Sequence, residues 1–298
     1  MTIVSICIPT KDRLEHLKKT IDSIINDGVN TNDYEIVISD NSENDVIKNH
    51  CYHIATQGYN IKHVRNPILG FYNSIVALRS GNGALLKLHN DYSCFLPGQF
   101  AYIVELARQN MNDAPTIFFA NGTLKIKENT RLNSKNQFIS ATHFQNSWSS
   151  AFSIWKADFD NIPHEKDDVN SMFPHTSLLL NSANKNFLIC NKVVFENIAV
   201  AGKGGYNLFE CFCETYLGLI KAKTLTSEIS STTFISVKWK MYLKFIIPWY
   251  FKTVYTVQGY TFITDDADKI LKKTYGLPAW FLIRVLCKIK KILDGVKK

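Results

Sequence analysis

At 298 residues with 46% apolar side chains, the chain is long enough to bury one full core, or one domain with an appendage. Its formal charge of +8 is lopsided: 13 of the 34 Lys and Arg, but only 4 of the 26 Asp and Glu, fall after residue 237, leaving 21 against 22 before it. A near-neutral body argues against a nucleic-acid enzyme, whose basic stripe runs through its catalytic part, and a basic, aromatic-rich tail points to an anionic membrane surface.

From the N-terminus, Val4-Ser5-Ile6-Cys7-Ile8 is a β-rich run ended by Pro9, and Thr10-Lys11-Asp12-Arg13 follows as a loop. Leu14, Leu17, Ile21, Ile24 and Ile25 recur at helical spacing, with Asp12 and Glu15 at capping-box separation. Tyr34 to Ser39 reads as a second strand ending in Asp40-Asn41-Ser42, and Ile61 to Val64 as a third, closed by Arg65-Asn66-Pro67. A helix over Tyr72 to Leu78 leads to a fourth apolar run, Ala84 to Leu88, which ends on His89-Asn90-Asp91. Another helix fits from Pro97, with Pro at its first position, to Arg108, and Thr116 to Ala120 is a further strand. Strand–helix alternation of this kind implies parallel βαβ units and a doubly wound α/β sheet with helices on both faces.

Residues 121–147 are polar and aperiodic and read as a loop or a pair of edge strands. Ser149 to Asp158 regains strand character, Pro163 to Asn170 is a charged loop, and Ser177 to Leu180 is the core of a helix. Phe187 to Phe195 reads as a strand, Gly202-Lys203-Gly204-Gly205 as a flexible turn, and Asn207 to Lys221 as a helix. Composition changes after Ser227–Thr233, which places a boundary between a domain over 1–232, with halves 1–120 and 121–232, and a helical extension over 233–298. No stretch of the tail reaches the roughly 18 uncharged apolar residues of a spanning helix. Pro278 to Lys298 has an amphipathic pattern, Trp280, Phe281, Ile283, Leu286, Ile289 and Leu293 against Arg284, Lys288, Lys291 and Lys298. It is expected either to pack on the domain or to lie in a membrane interface.

The seven cysteines include no C-x-x-C pair, which favours reduced thiols in the cytoplasm over a disulfide framework or a zinc site. Met1 to Ile8 carries no charged n-region or cleavage site, so no signal peptide is expected.

Three strands end in polar clusters, and in a parallel sheet those ends converge on one rim. A carboxylate after the second strand, Asp40, suits a ribose or base; Lys11 or Arg13 after the first suits a phosphate; His89 and Asp91 after the fourth offer ligands for Mg²⁺ or Mn²⁺. With these residues the chain resembles the family 2 glycosyltransferases, which have the GT-A fold. The resemblance rests on Val4 to Leu14, Tyr34 to Ser42, Asn66 with Gly70, and Leu88-His89-Asn90-Asp91, and spans roughly residues 3–215. It implies nucleotide-sugar binding by Pro9, Thr10, Lys11, Arg13, Asp40, Asn66, Gly70 and Asn90, and a D-x-D-like metal site at His89 and Asp91. His89 stands where that motif has its first acid, so one ligand charge is lost, and His89 could instead donate to the diphosphate.

The family also places an acidic pair at a helix start about a dozen residues before a strand. Counting back from Phe187 lands on His175, whose imidazole could take the acceptor's proton; Asp168 and Asp167 are the rival bases. Trp148 and Trp155 flank this side, as sugar-stacking or core residues.

The expected function is therefore a metal-dependent (Mn²⁺ or Mg²⁺), inverting glycosyltransferase. It would move a sugar from a nucleoside diphosphate, UDP foremost, to a saccharide acceptor. The basic tail adds a lipid-linked acceptor at the inner face of a bacterial membrane, as in O-antigen, capsule or lipooligosaccharide synthesis. The rivals are a nucleotidyltransferase, which would carry a Gly-rich loop that Pro9–Arg13 lacks, and a non-catalytic glycan-binding or scaffold relative.

Overall fold

The computed structural model describes residues 1–202 and 204–296, and the side chains of those up to 294. It divides into two compact units, Met1–Ala199 and Val200–Lys298.

In the first unit, β1 (Val4–Thr10), β2 (Tyr34–Asp40), β3 (Ile61–Arg65), β4 (Leu85–Leu88) and, later in the chain, Ser153–Trp155 form one sheet. Its order is β3-β2-β1-β4 followed by that last strand; the first four are mutually parallel, and Ser153–Trp155 pairs antiparallel with β4. Every residue of β2 and β4 is buried, which is why these strands read as continuous apolar runs rather than alternating ones. Helices α1 (Leu14–Ile25), α2 (Val46–Thr56) and α3 (Asn73–Arg79) cover the sheet, α1 burying Leu17, Ile21 and Ile24.

The capping box expected at Asp12 is not formed. Asp12 takes a left-handed conformation, φ 54°, to turn the chain out of β1, and no side chain caps α1. Strand β5 (Ser93–Phe95) precedes α4 (Gln99–Asn110), which starts two residues later than Pro97 would place it. Gly98 at φ 74° makes the turn, and the Asp27 carboxylate, from the end of α1, accepts from the N–H groups of Gly98 and Ala101. The helix thus borrows an acidic cap that is remote in sequence.

Beyond β6 (Thr116–Phe119), the polar stretch 121–147 holds β7 (Thr130–Leu132) and a helix, α5 (Lys135–Thr142). Ser134 caps α5 by accepting from Gln137 N, while Gln137 Oε1 accepts from Asn133 N. Of Ser149 to Asp158 only β8 (Ser153–Trp155) is a strand; α6 (Lys156–Asp160) follows. After α7 (Pro174–Asn181), β9 (Phe187–Cys190) joins a second sheet, β6-β9-β7. The strand expected to run on to Phe195 ends at Cys190, and the next residue, Asn191, turns its side chain to the 124–126 loop. The chain resumes as β10 (Phe195–Asn197), antiparallel to β5.

In the second unit the expected flexible turn contributes β11 (Gly204–Asn207), parallel to β12 (Thr261–Ile263); Lys203 lies outside the described residues. α8 (Leu208–Glu210) runs through a π-helical stretch into α9 (Leu217–Leu225), followed by α10 (Ser231–Met241), α11 (Ile247–Tyr250), α12 (Ala267–Tyr275) and α13 (Leu277–Val296). Residues 200–232 pack with this tail, α8 on α12 and α9 on α10, so the division falls at Ala199/Val200 rather than 232/233. The composition change at 227–233 marks only the turn into α10, capped by Ser230. On α13 the apolar residues split between two faces. Ala279, Ile283 and Cys287 are buried, whereas Phe281 (65% exposed), Leu282, Val285, Leu286, Ile289, Ile292 and Leu293 face solvent. Lys298 lies outside the described residues.

Candidate active site

Because β1 is flanked on one side by β2 and on the other by β4, the strand order reverses at β1/β4, and the carboxyl ends of those strands are where an open α/β sheet binds its ligand. Thr10 ends β1, and Asp91 follows β4 by three residues. The two meet: Thr10 Oγ1 donates to Asp91 Oδ2 at 2.7 Å, and Arg13 Nη1 donates to Asp91 Oδ1 at 2.8 Å. Asp91 is 2% exposed and Arg13 37%, with the guanidinium 5.7 Å from the Tyr92 ring centroid. Burial raises the Asp91 pKa, while Arg13 and Thr10 pull it down. Lys11 is exposed in the same loop.

The remaining expected nucleotide-binding residues divide into exposed and structural ones. Asp40 is fully buried; Oδ1 accepts from Ser42 N, and Oδ2 lies 3.0 Å from His63 Nε2 and 3.3 Å from Arg65 Nη1. Its carboxylate therefore pins the ends of β2 and β3. Asn66 shapes its own loop by accepting from Ile68 N and donating to Ile68 O and Asn73 Oδ1. Gly70, at φ 93°, turns the chain into α3, and Pro9 sits within β1 opposite Ser39. Asn90 is held by Ser149, Ser150 and Tyr92.

Asn73 and Lys87 were not singled out from the sequence. Asn73, at the start of α3, donates to Ser39 O and Thr10 O and accepts from Ser39 Oγ and Asn66, tying β1, β2 and the β3 loop together. A polar asparagine in the first turn of the mostly apolar helix before β4 is the signal that could have found it. Lys87 is fully buried in β4, donates to Leu88 O and Ser150 O, and lies 5.1 and 5.8 Å from the Phe119 and Phe195 ring centroids. Burial lowers its pKa to about 7.

His89 and Asp91 have different bonding partners. Pleat alternation sends His89 to the same side of β4 as Lys87, where its ring stacks on Phe95 at 4.3 Å and meets Phe195 edge-on. Its Nε2 pairs with Ser93 O at 2.8 Å, Nδ1 has no partner among the described residues, and burial holds its pKa well below the ordinary imidazole value. A divalent metal fits this corner poorly. Mg²⁺ and Mn²⁺ favour several oxygen ligands, yet Asp91 is a lone carboxylate with both oxygens engaged. Among the described residues no group of three His, Cys, Asp or Glu could hold a metal.

His175 does not fit the base role either. Its ring is buried, Nε2 donates to Ser147 O at 2.9 Å, and burial lowers its pKa to about 4. Between pH 4 and 6.5 the unfolded chain binds this proton and the folded one does not, so stability falls as pH drops through that window. The expected loss is about 3 kcal/mol. His175→Gln, which keeps a donor for Ser147, is expected to flatten that part of a melting-temperature profile. Asp168 lies in the exposed 163–170 loop; one oxygen accepts from Glu165 N, the other has no partner among the described residues, and Asp167 is exposed beside it. Trp155 is a core residue, buried with its indole N–H on Pro115 O, while half-buried Trp148 packs edge-on to Phe195.

A parallel sheet with an antiparallel edge, a second small sheet and a polar corner at the switch point together make the GT-A architecture. The model of the family described as glycosyl transferase family 2 matches residues 5–172, more than half of the chain. The chain belongs to that family. Among solved structures, S. aureus TarS 1–349 in complex with UDP aligns with a TM-score of 0.62 at 12% identity, over 95% of this chain and 81% of that one. The same TarS fragment in complex with UDP-GlcNAc aligns with a TM-score of 0.55 at 13% identity, over 74% of this chain and 65% of that one, so the alignment spans just under two thirds of its length. At such identities the likeness shows the fold alone. No significant match is found among curated proteins.

Proposed function

We propose that the chain transfers a sugar from a nucleoside diphosphate sugar, with UDP the first candidate, to a saccharide acceptor carried on lipid. The observation that carries the donor half is the Thr10–Arg13–Asp91 corner at the β1/β4 switch point, where cationic Arg13 and exposed Lys11 stand together after β1. The UDP and UDP-GlcNAc complexes of TarS, which shares the fold, support UDP.

In an inverting displacement the acceptor oxygen forms a bond to the anomeric carbon as the bond from that carbon to the β-phosphate oxygen breaks. The electron pair leaves with the diphosphate, and the acceptor proton passes to a base. Asp168 suits that base better than His175, having a carboxylate oxygen open to solvent. Asp168→Asn is then expected to slow turnover and to leave donor binding intact.

The acceptor half rests on α13. Its solvent-facing apolar row is bordered by Arg284, Lys288 and Lys291, a pattern suited to an anionic bilayer surface. No helix among the described residues is long and apolar enough to cross a membrane. The reading is a peripheral protein on the cytoplasmic face of a bacterial membrane, acting in O-antigen, capsule or lipooligosaccharide assembly. A panel of nucleotide-sugars scored for hydrolysis and thermal stabilisation tests the donor; no response to any member ends this reading. Co-sedimentation with anionic but not zwitterionic vesicles, lost in Leu282→Glu/Ile289→Glu, tests the surface.

A further inference from the structure

We propose that Arg13, held by Asp91, is the cation that meets the donor's diphosphate, so that nucleotide binding needs no divalent metal. This rests on the donor reading above. The corner is built around a guanidinium: Asp91 gives one oxygen to Thr10 and the other to Arg13 Nη1 at 2.8 Å. A dication in the same place would have to displace Arg13 and then rely on a single carboxylate, because His89 is turned into the aromatic core with Nε2 on Ser93 O.

Charge and geometry both favour the guanidinium. Asp91 uses only one of its nitrogens, and Arg13 is 37% exposed, so several of its five N–H donors remain for phosphate oxygens. The Asp91 bond and the Tyr92 ring 5.7 Å away fix the guanidinium in advance, which reduces the ordering cost when ligand arrives. As the bond to the anomeric carbon breaks, the leaving diphosphate gains one negative charge, and a prepositioned guanidinium is suited to stabilise it.

The test is calorimetric titration of the full chain with UDP and with uridine, once in EDTA and once with excess Mn²⁺, on unmodified protein, Arg13→Ala and Arg13→Lys. The expected result is a UDP affinity equal within about twofold in EDTA and Mn²⁺, a difference too small to imply a bridging metal. Arg13→Ala is expected to weaken UDP by about 10- to 100-fold while leaving uridine unchanged, with Arg13→Lys intermediate. A merely structural Arg13 would weaken both ligands alike, and that outcome overturns the proposal. UDP binding that vanishes in EDTA and returns with Mn²⁺ overturns it too, while leaving the donor reading intact. Absence of UDP binding under both conditions overturns the proposal and removes UDP as the donor's nucleotide.

Discussion

The melting temperature of the unmodified protein is expected to climb relative to that of Lys87→Met as pH rises from about 7 towards 10.5, because only the unmodified protein carries the fully buried amine of β4. The folded state lowers the Lys87 pKa from 10.5 to about 7, the cause being desolvation inside β4. Between those values the unfolded chain holds the proton and the folded chain does not, so stability increases with pH across the window. The full amplitude is on the order of 4–5 kcal/mol. For a unit of this size that corresponds to on the order of 10 °C in melting temperature. Burial also raises the Cys7 and Cys51 thiols, which opposes the trend at alkaline pH, so the difference between the two proteins is the quantity to read. Identical pH profiles would show that Lys87 stays charged in the fold. Both variants strip the donor from Ser150 O and Leu88 O, but Lys87→Ala also leaves a cavity that Met would fill, so it should be worse than Lys87→Met at every pH.

The same residue shows where sequence reading runs out. Strands β1, β2 and β4 were legible because a sheet covered on both faces needs unbroken apolar runs, and the polar residues that end them mark the rim. Asp91 and Arg13 followed from that geometry. Lys87 lies within such a run, but its partners, the Ser150 carbonyl and the Phe119 and Phe195 rings, come from distant parts of the chain and leave no local trace. His89 looked like a ligand through its nearness to Asp91 in sequence; that its ring is instead taken up by aromatic packing depends in part on Phe195, more than a hundred residues away. Asp40 looked like a nucleotide contact, yet His63 and Arg65 at the end of β3 had already claimed its carboxylate. Some signals were present and unused. Ser134 and Gln137 stand at capping-box spacing ahead of Phe138 and Ile139, enough to start α5 in a stretch whose polarity suggested a loop. On α13, apolar residues at two offsets made one amphipathic face of what are two, and only burial of Ile283 and Cys287 separates them.

Asp91→Ala is expected to lower kcat/KM for sugar transfer by about 10²-fold or more, chiefly through kcat, with UDP binding weakened far less. Arg13 is partly exposed, so without Asp91 its guanidinium can still reach a bound diphosphate from solvent. What it loses is the fixed position from which to meet the charge that develops on the leaving group, and an interaction tightened only in the transition state appears in kcat. The fold should survive. Arg13 is free to rehydrate, and the main structural loss is the acceptor for buried Thr10 Oγ1, about 1–3 kcal/mol. Asp91→Asn separates charge from geometry: its amide oxygen still accepts from Arg13, and its nitrogen can donate to the Thr10 hydroxyl once that rotates. An asparagine variant close to unmodified turnover would mean that Asp91 serves as a hydrogen-bonding post for Arg13; one as slow as the alanine variant would mean that the carboxylate's charge is what holds the guanidinium in place. Near-normal transfer by Asp91→Ala would remove the residue from the reaction and reduce it to a turn residue at the end of β4.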